Sequence, residues 1–156
     1  MIIVDTREPT DKIKSILSEM DYKYEWPEIR FEKLDHGDYL IDAKNNNLLI
    51  SRKEIHDFCG NYTLLKPQLE QMRMQYDKTA LLVEGEYDVI DGYIYLWRGN
   101  QKCRSCSYLT YSSFVTSQQL RGTYYYYTLN LKETILRLLY IHKYLPSGIK
   151  KAKKKS

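Results

Sequence analysis

Between His36 and Asp57 the chain reads HGDYLIDAKNNNLLISRKEIHD, and this stretch limits the possible folds more than any other. Two apolar arms, Tyr39-Leu40-Ile41 and Leu48-Leu49-Ile50, flank Asp42-Ala43-Lys44-Asn45-Asn46-Asn47, a run of residues that accept left-handed backbone, so the pattern predicts a β-hairpin. With the loop centred between Lys44 and Asn45, Ile41 faces Leu48 and Asp38 faces Ser51. Side chains alternate along a strand, so Ser51 and Lys53 share a face while Arg52 takes the other. A carboxylate and a cation therefore converge at the foot of the hairpin, with Asp57 one turn later.

That pairing suits phosphodiester hydrolysis, in which a divalent ion polarises the phosphate and lowers the pKa of a water while oxygen ligands hold it. Lys53 supplies the remaining positive charge. A second carboxylate is expected beside Asp38, and Ser51 occupies its place. The neutral hydroxyl removes one unit of negative charge from where the ion would bind.

Around the hairpin the pattern predicts β-α-β-β-β-α-β-α-β-α. Met1-Ile2-Ile3-Val4 reads as a strand ending in the charged turn Asp5-Thr6-Arg7-Glu8-Pro9. Thr10 is placed to cap a helix with the stripe Ile13, Ile16, Leu17 and Met20. Residues 28–34 alternate as an antiparallel strand. A helical turn over 54–59 and a longer helix over 64–77 precede the buried strand Thr79-Ala80-Leu81-Leu82-Val83, closed by Glu84-Gly85. Tyr93-Ile94-Tyr95-Leu96-Trp97 before Arg98-Gly99-Asn100 suggests a second hairpin or an excursion without a readable role. Helix over 108–120, strand over 123–127 and a last helix capped by Asn130, with Ile135, Leu138, Leu139 and His142 on one side, complete the order.

The length of 156 residues fits one domain over 1–146 with a basic disordered tail over 147–156. Five lysines in that tail outweigh the net charge of +4, so the rest of the chain is slightly acidic. Such a run is a solvated end or an electrostatic arm on nucleic acid, through Lys150, Lys151, Lys153 and Lys154. Sixteen tyrosines fit half-buried sheet surface better than base stacking. Cys59 stands apart from Cys103 and Cys106, and one C-x-x-C pair is a poor zinc site, so reduced thiols are expected. With no signal peptide and no long apolar run, the chain is expected to be intracellular, in the cytoplasm or nucleus of a host.

Val4-Asp5-Thr6-Arg7-Glu8, then Gly37-Asp38, then Ser51-Arg52-Lys53 with three spacers before Asp57, resemble the V-D-x-R-E and G-D-x(n)-E-R-K-x(3)-D motifs of the XPF/Hef nuclease family. Every position of the second motif matches except the glutamate. Leu69-Glu70-Gln71, Leu81 to Gly85 and Leu131 to Thr134 extend the resemblance along nearly the whole chain. It implies a restriction-endonuclease-like α/β core, a mixed central sheet flanked by helices, and Mg²⁺- or Mn²⁺-dependent endonuclease cutting of branched or flapped DNA in repair and recombination. It implies a homodimer, or a heterodimer with a related subunit. By position, Asp38 would be the metal ligand, Lys53 the phosphate or water activator, Asp5, Arg7, Glu8 and Asp57 the charged shell, and Arg52 a structural or DNA-facing group. The family's usual tandem helix-hairpin-helix module has no counterpart in the lysines that follow Gly148.

Three accounts of Ser51 stay open: the glutamate was exchanged to trap substrate, the chain is a catalytically silent DNA-binding or dimerisation subunit, or another carboxylate has moved into the site. Asp35, Glu54 and Glu84 are the acidic candidates, with Glu84, at a neighbouring strand's end, the preferred second metal ligand. Dimerisation would use the face of Ile135, Leu138 and Leu139, which serves equally as core.

Overall fold

The computed structural model describes residues 1–20 and 26–155, with side chains as far as 145. The alternating and continuous apolar runs become β1 (Ile2–Val4), β2 (Ile29–Phe31), β3 (Tyr39–Ala43), β4 (Asn46–Glu54), β5 (Thr79–Glu84) and β9 (Thr123–Thr128), in the order β2-β1-β3-β4-β5-β9. β3 runs antiparallel to β1 and β4, whereas β4, β5 and β9 are mutually parallel, so the sheet is mixed. Parallel neighbours require crossovers, and α2 (Ile55–Gln75) and α3 (Tyr108–Leu120) supply them.

The fully buried run of β5 packs on both sides, as a central parallel strand must. On one face Ala80 and Leu82 join Ile2, Ile41, Ile50 and helices α1 (Thr10–Glu19) and α4 (Leu131–Lys155) through Ile13, Ile135, Leu138 and Leu139. On the other, Leu81 and Val83 meet Phe58, Leu65, Leu69 and Met72 of α2 and Tyr111 and Val115 of α3. Ile135, Leu138 and Leu139 are thus core, not the surface on which the dimerisation reading relied.

The hairpin has the expected register, Ile41 opposite Leu48, but its strands run to Ala43 and from Asn46, leaving a two-residue turn with Lys44 at φ 52°. Left-handed backbone is needed at fewer positions than the asparagine run offers. Segment 28–34 departs further: only Ile29–Phe31 pairs, and it lies parallel to β1, because α1 carries the chain back across the sheet. The expected turn over 54–59 and helix over 64–77 are one helix, with Pro67 inside it. Thr10 starts α1 without capping it by its side chain, whereas Asn130 Oδ1 accepts the Glu133 N–H at 2.9 Å as expected. The backbone of the last helix continues over 147–155, consistent with the high helix propensity of alanine and lysine.

The excursion is a separate antiparallel sheet, β6 (Asp88–Ile90), β7 (Tyr93–Arg98) and β8 (Gln101–Ser107), in that order. Ile94 and Leu96 bury its inner face against α2 and α3. A disulfide between Cys59 of α2 and Cys106 of β8 ties it down. This corrects the expectation of three reduced thiols: 47 residues of sequence separate two cysteines that the packing brings together, and Cys103 alone is free. Among the described residues no helix is long and apolar enough to cross a membrane.

Candidate functional site

Asp38 is fixed by its own backbone. Its N–H donates to Ile50 O at 2.8 Å and its carbonyl accepts the Asp5 N–H at 2.9 Å, which joins the amino-terminal turn to the hairpin foot. Gly37 before it has φ +75°, and a Cβ there would lie 2.8 Å from Leu49 Cδ1 and 3.2 Å from Ile50 O, so the bend requires glycine.

A polar hollow of about 200 Å³ opens at this bend, lined by Asp38, Ser51, Arg7, Asp35, His36 and Gln68 among others. Ser51 is buried and faces α2, the face it shares with Lys53 by strand alternation. Asp38 Oδ2 accepts the Arg52 N–H at 2.7 Å. Burial above all, and then the charge of Glu8, push the Asp38 carboxyl up to about 6, while the Arg52 N–H pulls it down. A carboxylate so placed is stabilised by any cation that enters the hollow.

Asp5 is different. Burial raises its carboxyl, but the Arg7 guanidinium at 2.6 Å and the N–H groups of Leu34 and Arg7 at 2.8 and 3.0 Å outweigh that and hold it below the ordinary value. Its oxygens are taken, so Asp5 orients Arg7 towards the hollow rather than facing it itself.

Arg52 points through to the opposite face. Its guanidinium, with a side chain only 11 % exposed, donates to Glu8 at 2.7 Å, Glu84 at 3.2 Å and Glu54 at 3.4 Å. Burial lowers its pKa, and Glu8 and Glu84 more than restore it, so it stays charged. It is a buried cation among three carboxylates. Glu84 also accepts the Thr134 hydroxyl at 2.8 Å, and Thr134 meets Thr128 at 2.6 Å. The preferred second ligand therefore sits on the wrong face and is already engaged, because even-numbered residues of β5 face α4.

Of the expected site residues, the fold brings Arg7, Asp38 and Ser51 to one hollow and sends Glu8, Arg52 and Glu84 to the other side of the sheet. Lys53 and Asp57 lie beyond the hollow's lining, at the end of β4 and in the first turn of α2. Asp57 forms a cluster with half-buried Glu54 and exposed His56, whose Nε2 is 3.2 Å from Glu54 and 3.4 Å from Asp57. The side chains of Lys150, Lys151, Lys153 and Lys154 lie outside the described residues. Gln68 and His36 are additions that sequence reasoning missed. Gln68 could have been found as the polar residue four positions before the buried Met72 on α2.

Asp38, Ser51, Gln68 and Asp35 together offer only oxygen and amide donors apart from His36, a set suited to a hard divalent cation. Asp35 is the single carboxylate of the three replacement candidates that shares the hollow with Asp38.

Comparison with known proteins identifies the family and the fold. The ERCC4 domain family matches residues 4–142. The fold is similar to XPF from Aeropyrum pernix, with a TM-score of 0.67 at 20% identity over 98% of this chain and 68% of that one. It is also similar to XPF from Aeropyrum pernix in complex with DNA, with a TM-score of 0.63 at 20% identity over 91% of this chain and 62% of that one. No curated protein sequence matches the chain. The mixed sheet flanked by helices is the restriction-endonuclease-like arrangement, and with the family match spanning both motifs the chain belongs to the ERCC4 domain family.

Proposed function

We propose that the chain engages branched or flapped DNA and cuts it with Mg²⁺ or Mn²⁺, at a rate weakened by Ser51. The observation that carries this reading is the shared hollow of Asp38 and Ser51, with Arg7 and Asp35 among its lining residues. When bound, the divalent ion supplies Lewis-acid polarisation of the phosphate. Asp38, with Asp35 and the Ser51 hydroxyl, would hold it. Arg7, whose side chain is mostly exposed while Asp5 braces it, meets the phosphate oxygens. Lys53 has no ion-pair partner among the described residues and lies at the strand end, where it adds positive charge along the scissile strand.

Exchanging Ser51 for glutamate tests the reading. Ser51→Glu with Mn²⁺ is expected to cleave flap or junction DNA at least tenfold faster than the serine form. No cleavage of any branched substrate by either form would reject it. A second reading, a catalytically silent DNA-binding subunit, rests on the neutral Ser51 hydroxyl beside a single engaged carboxylate. It predicts junction affinity without turnover in both forms. Pairing with a second copy or a related subunit would need a surface other than the buried Ile135, Leu138 and Leu139.

A further inference from the structure

We propose that the outer face of the β6-β7-β8 sheet is a stacking platform for an unpaired DNA strand, a reading that rests on the nuclease function above and extends it to the substrate's single-stranded arm. Alternation along β7 turns Ile94 and Leu96 inward and leaves Tyr93, Tyr95 and Trp97 on the outer face. The register sets Arg104 opposite Tyr95 and Lys102 opposite Trp97. The Arg104 guanidinium lies 4.3 Å from the Tyr93 ring centroid and Lys102 Nζ 5.4 Å from that of Trp97. Three rings in line, with Arg104 beside Tyr93 and Lys102 beside Trp97, give bases a π surface and phosphates a counter-charge.

Two further facts favour DNA over an inert surface. Trp97, the bulkiest side chain of the outer face, is 58 % exposed. Residues two apart on a strand are about 6.7 Å apart, about twice the rise of a stacked B-DNA strand, so successive bases of a stretched single strand meet successive rings. Antiparallel sheets that read unpaired strands use aromatics in this way. Charge on that face is carried by Lys102 and Arg104, opposite Trp97 and Tyr95, against Asp88, which holds Lys102 at 2.7 Å and leaves Arg104, among the described residues, as the unpaired cation there. Position agrees as well. A hollow of about 480 Å³ lined by His56, Gly85, Trp97 and Arg98 links the platform to the first turn of α2, where Asp57 stands.

Fluorescence anisotropy on the full chain in EDTA tests this without cleavage, using a labelled oligothymidylate of roughly 15 nucleotides and a blunt duplex of equal length. The single strand is expected to bind more tightly than the duplex. Trp97→Ala and Tyr95→Ala are each expected to weaken single-strand binding roughly tenfold and to leave duplex binding unchanged, with Trp97→Phe restoring most of it. Circular dichroism checks the fold, and if Trp97→Ala does not fold, Arg104→Gln and Trp97→Phe carry the comparison. Unchanged single-strand affinity in the variants, or an equal loss for both ligands, overturns the proposal. Absence of single-strand affinity also overturns it and marks the face as a contact for a protein. Binding that survives while Ser51→Glu cuts nothing would reject the nuclease reading alone.

Discussion

The backbone N–H of Arg52 donates to Asp38 Oδ2 at 2.7 Å, while the guanidinium of the same residue lies on the other face of the sheet. One residue thus supports the candidate site through its main chain and neutralises Glu8 and Glu84 through its side chain. The two duties are separable by mutation, since substitution spares the N–H.

Arg52→Ala is expected to destabilise the fold by about 3–5 kcal/mol, because Glu8 and Glu84 are then buried without a cation. Arg52→Ala combined with Glu84→Gln should recover part of that loss, since the amide removes one orphaned charge. Urea unfolding of the two single variants and the double variant measures the coupling. Strictly additive losses would show that Arg52 and Glu84 do not act as a pair.

Asp38 gives a pH signature of opposite sign to the usual carboxylate. Its carboxyl is raised from 3.8 to about 6, so the stability it contributes is full below roughly pH 4 and is lost as pH rises through 6. The loss is at most about 3 kcal/mol. Asp38→Asn keeps an oxygen for the Arg52 N–H and removes the charge. In EDTA near neutral pH its Tm is expected to exceed that of the parent, and the advantage should vanish below about pH 4. Thermal unfolding followed across this range checks it; a variant less stable than the parent at neutral pH contradicts it.

Gly37→Ala should cost about 1–3 kcal/mol, since the new Cβ meets Leu49 and the Ile50 carbonyl on a backbone at φ +75°. Gly92→Ala is the control: φ is +81°, but nothing lies within 4 Å of its Cβ. The difference in Tm between the two reports the packing at the bend beside Asp38. Equal losses would mean that only the backbone conformation matters there.

How far the sequence revealed these arrangements depended on whether the signal was local. The register of Ile41 with Leu48, the stripe of Ile13, Ile16, Leu17 and Met20, and the Asn130 cap were all legible, because each depends on neighbours within a turn or a hairpin. Strand alternation even separated Ser51 from Arg52. The same rule did not locate Glu84, because its face is set by the register of β5 against β4, which only the folded sheet defines. Parallel pairing of β2 with β1 and the bond between Cys59 and Cys106 were hidden for the same reason: they join segments distant in sequence. Gln68, from the middle of α2, and His36, beside the Gly37-Asp38 bend, also line the hollow, although neither residue is itself part of the quoted motifs.

The bond between Cys59 and Cys106 leads to the last expectation. It closes a loop of 47 residues, for which chain entropy alone gives about 4 kcal/mol. Ile94 and Leu96 still anchor the small sheet without it, so Cys59→Ser should leave the fold intact but lower its Tm. Loosening should concentrate in β7 and β8, whose amides are expected to exchange with solvent faster, while β5, buried on both faces, keeps its protection. Reduction of the parent chain should reproduce the variant's Tm. Hydrogen exchange read by mass spectrometry after proteolysis resolves the two sheets. Acceleration spread evenly over both, or none on reduction, would show that the bond does not fasten the excursion to α2.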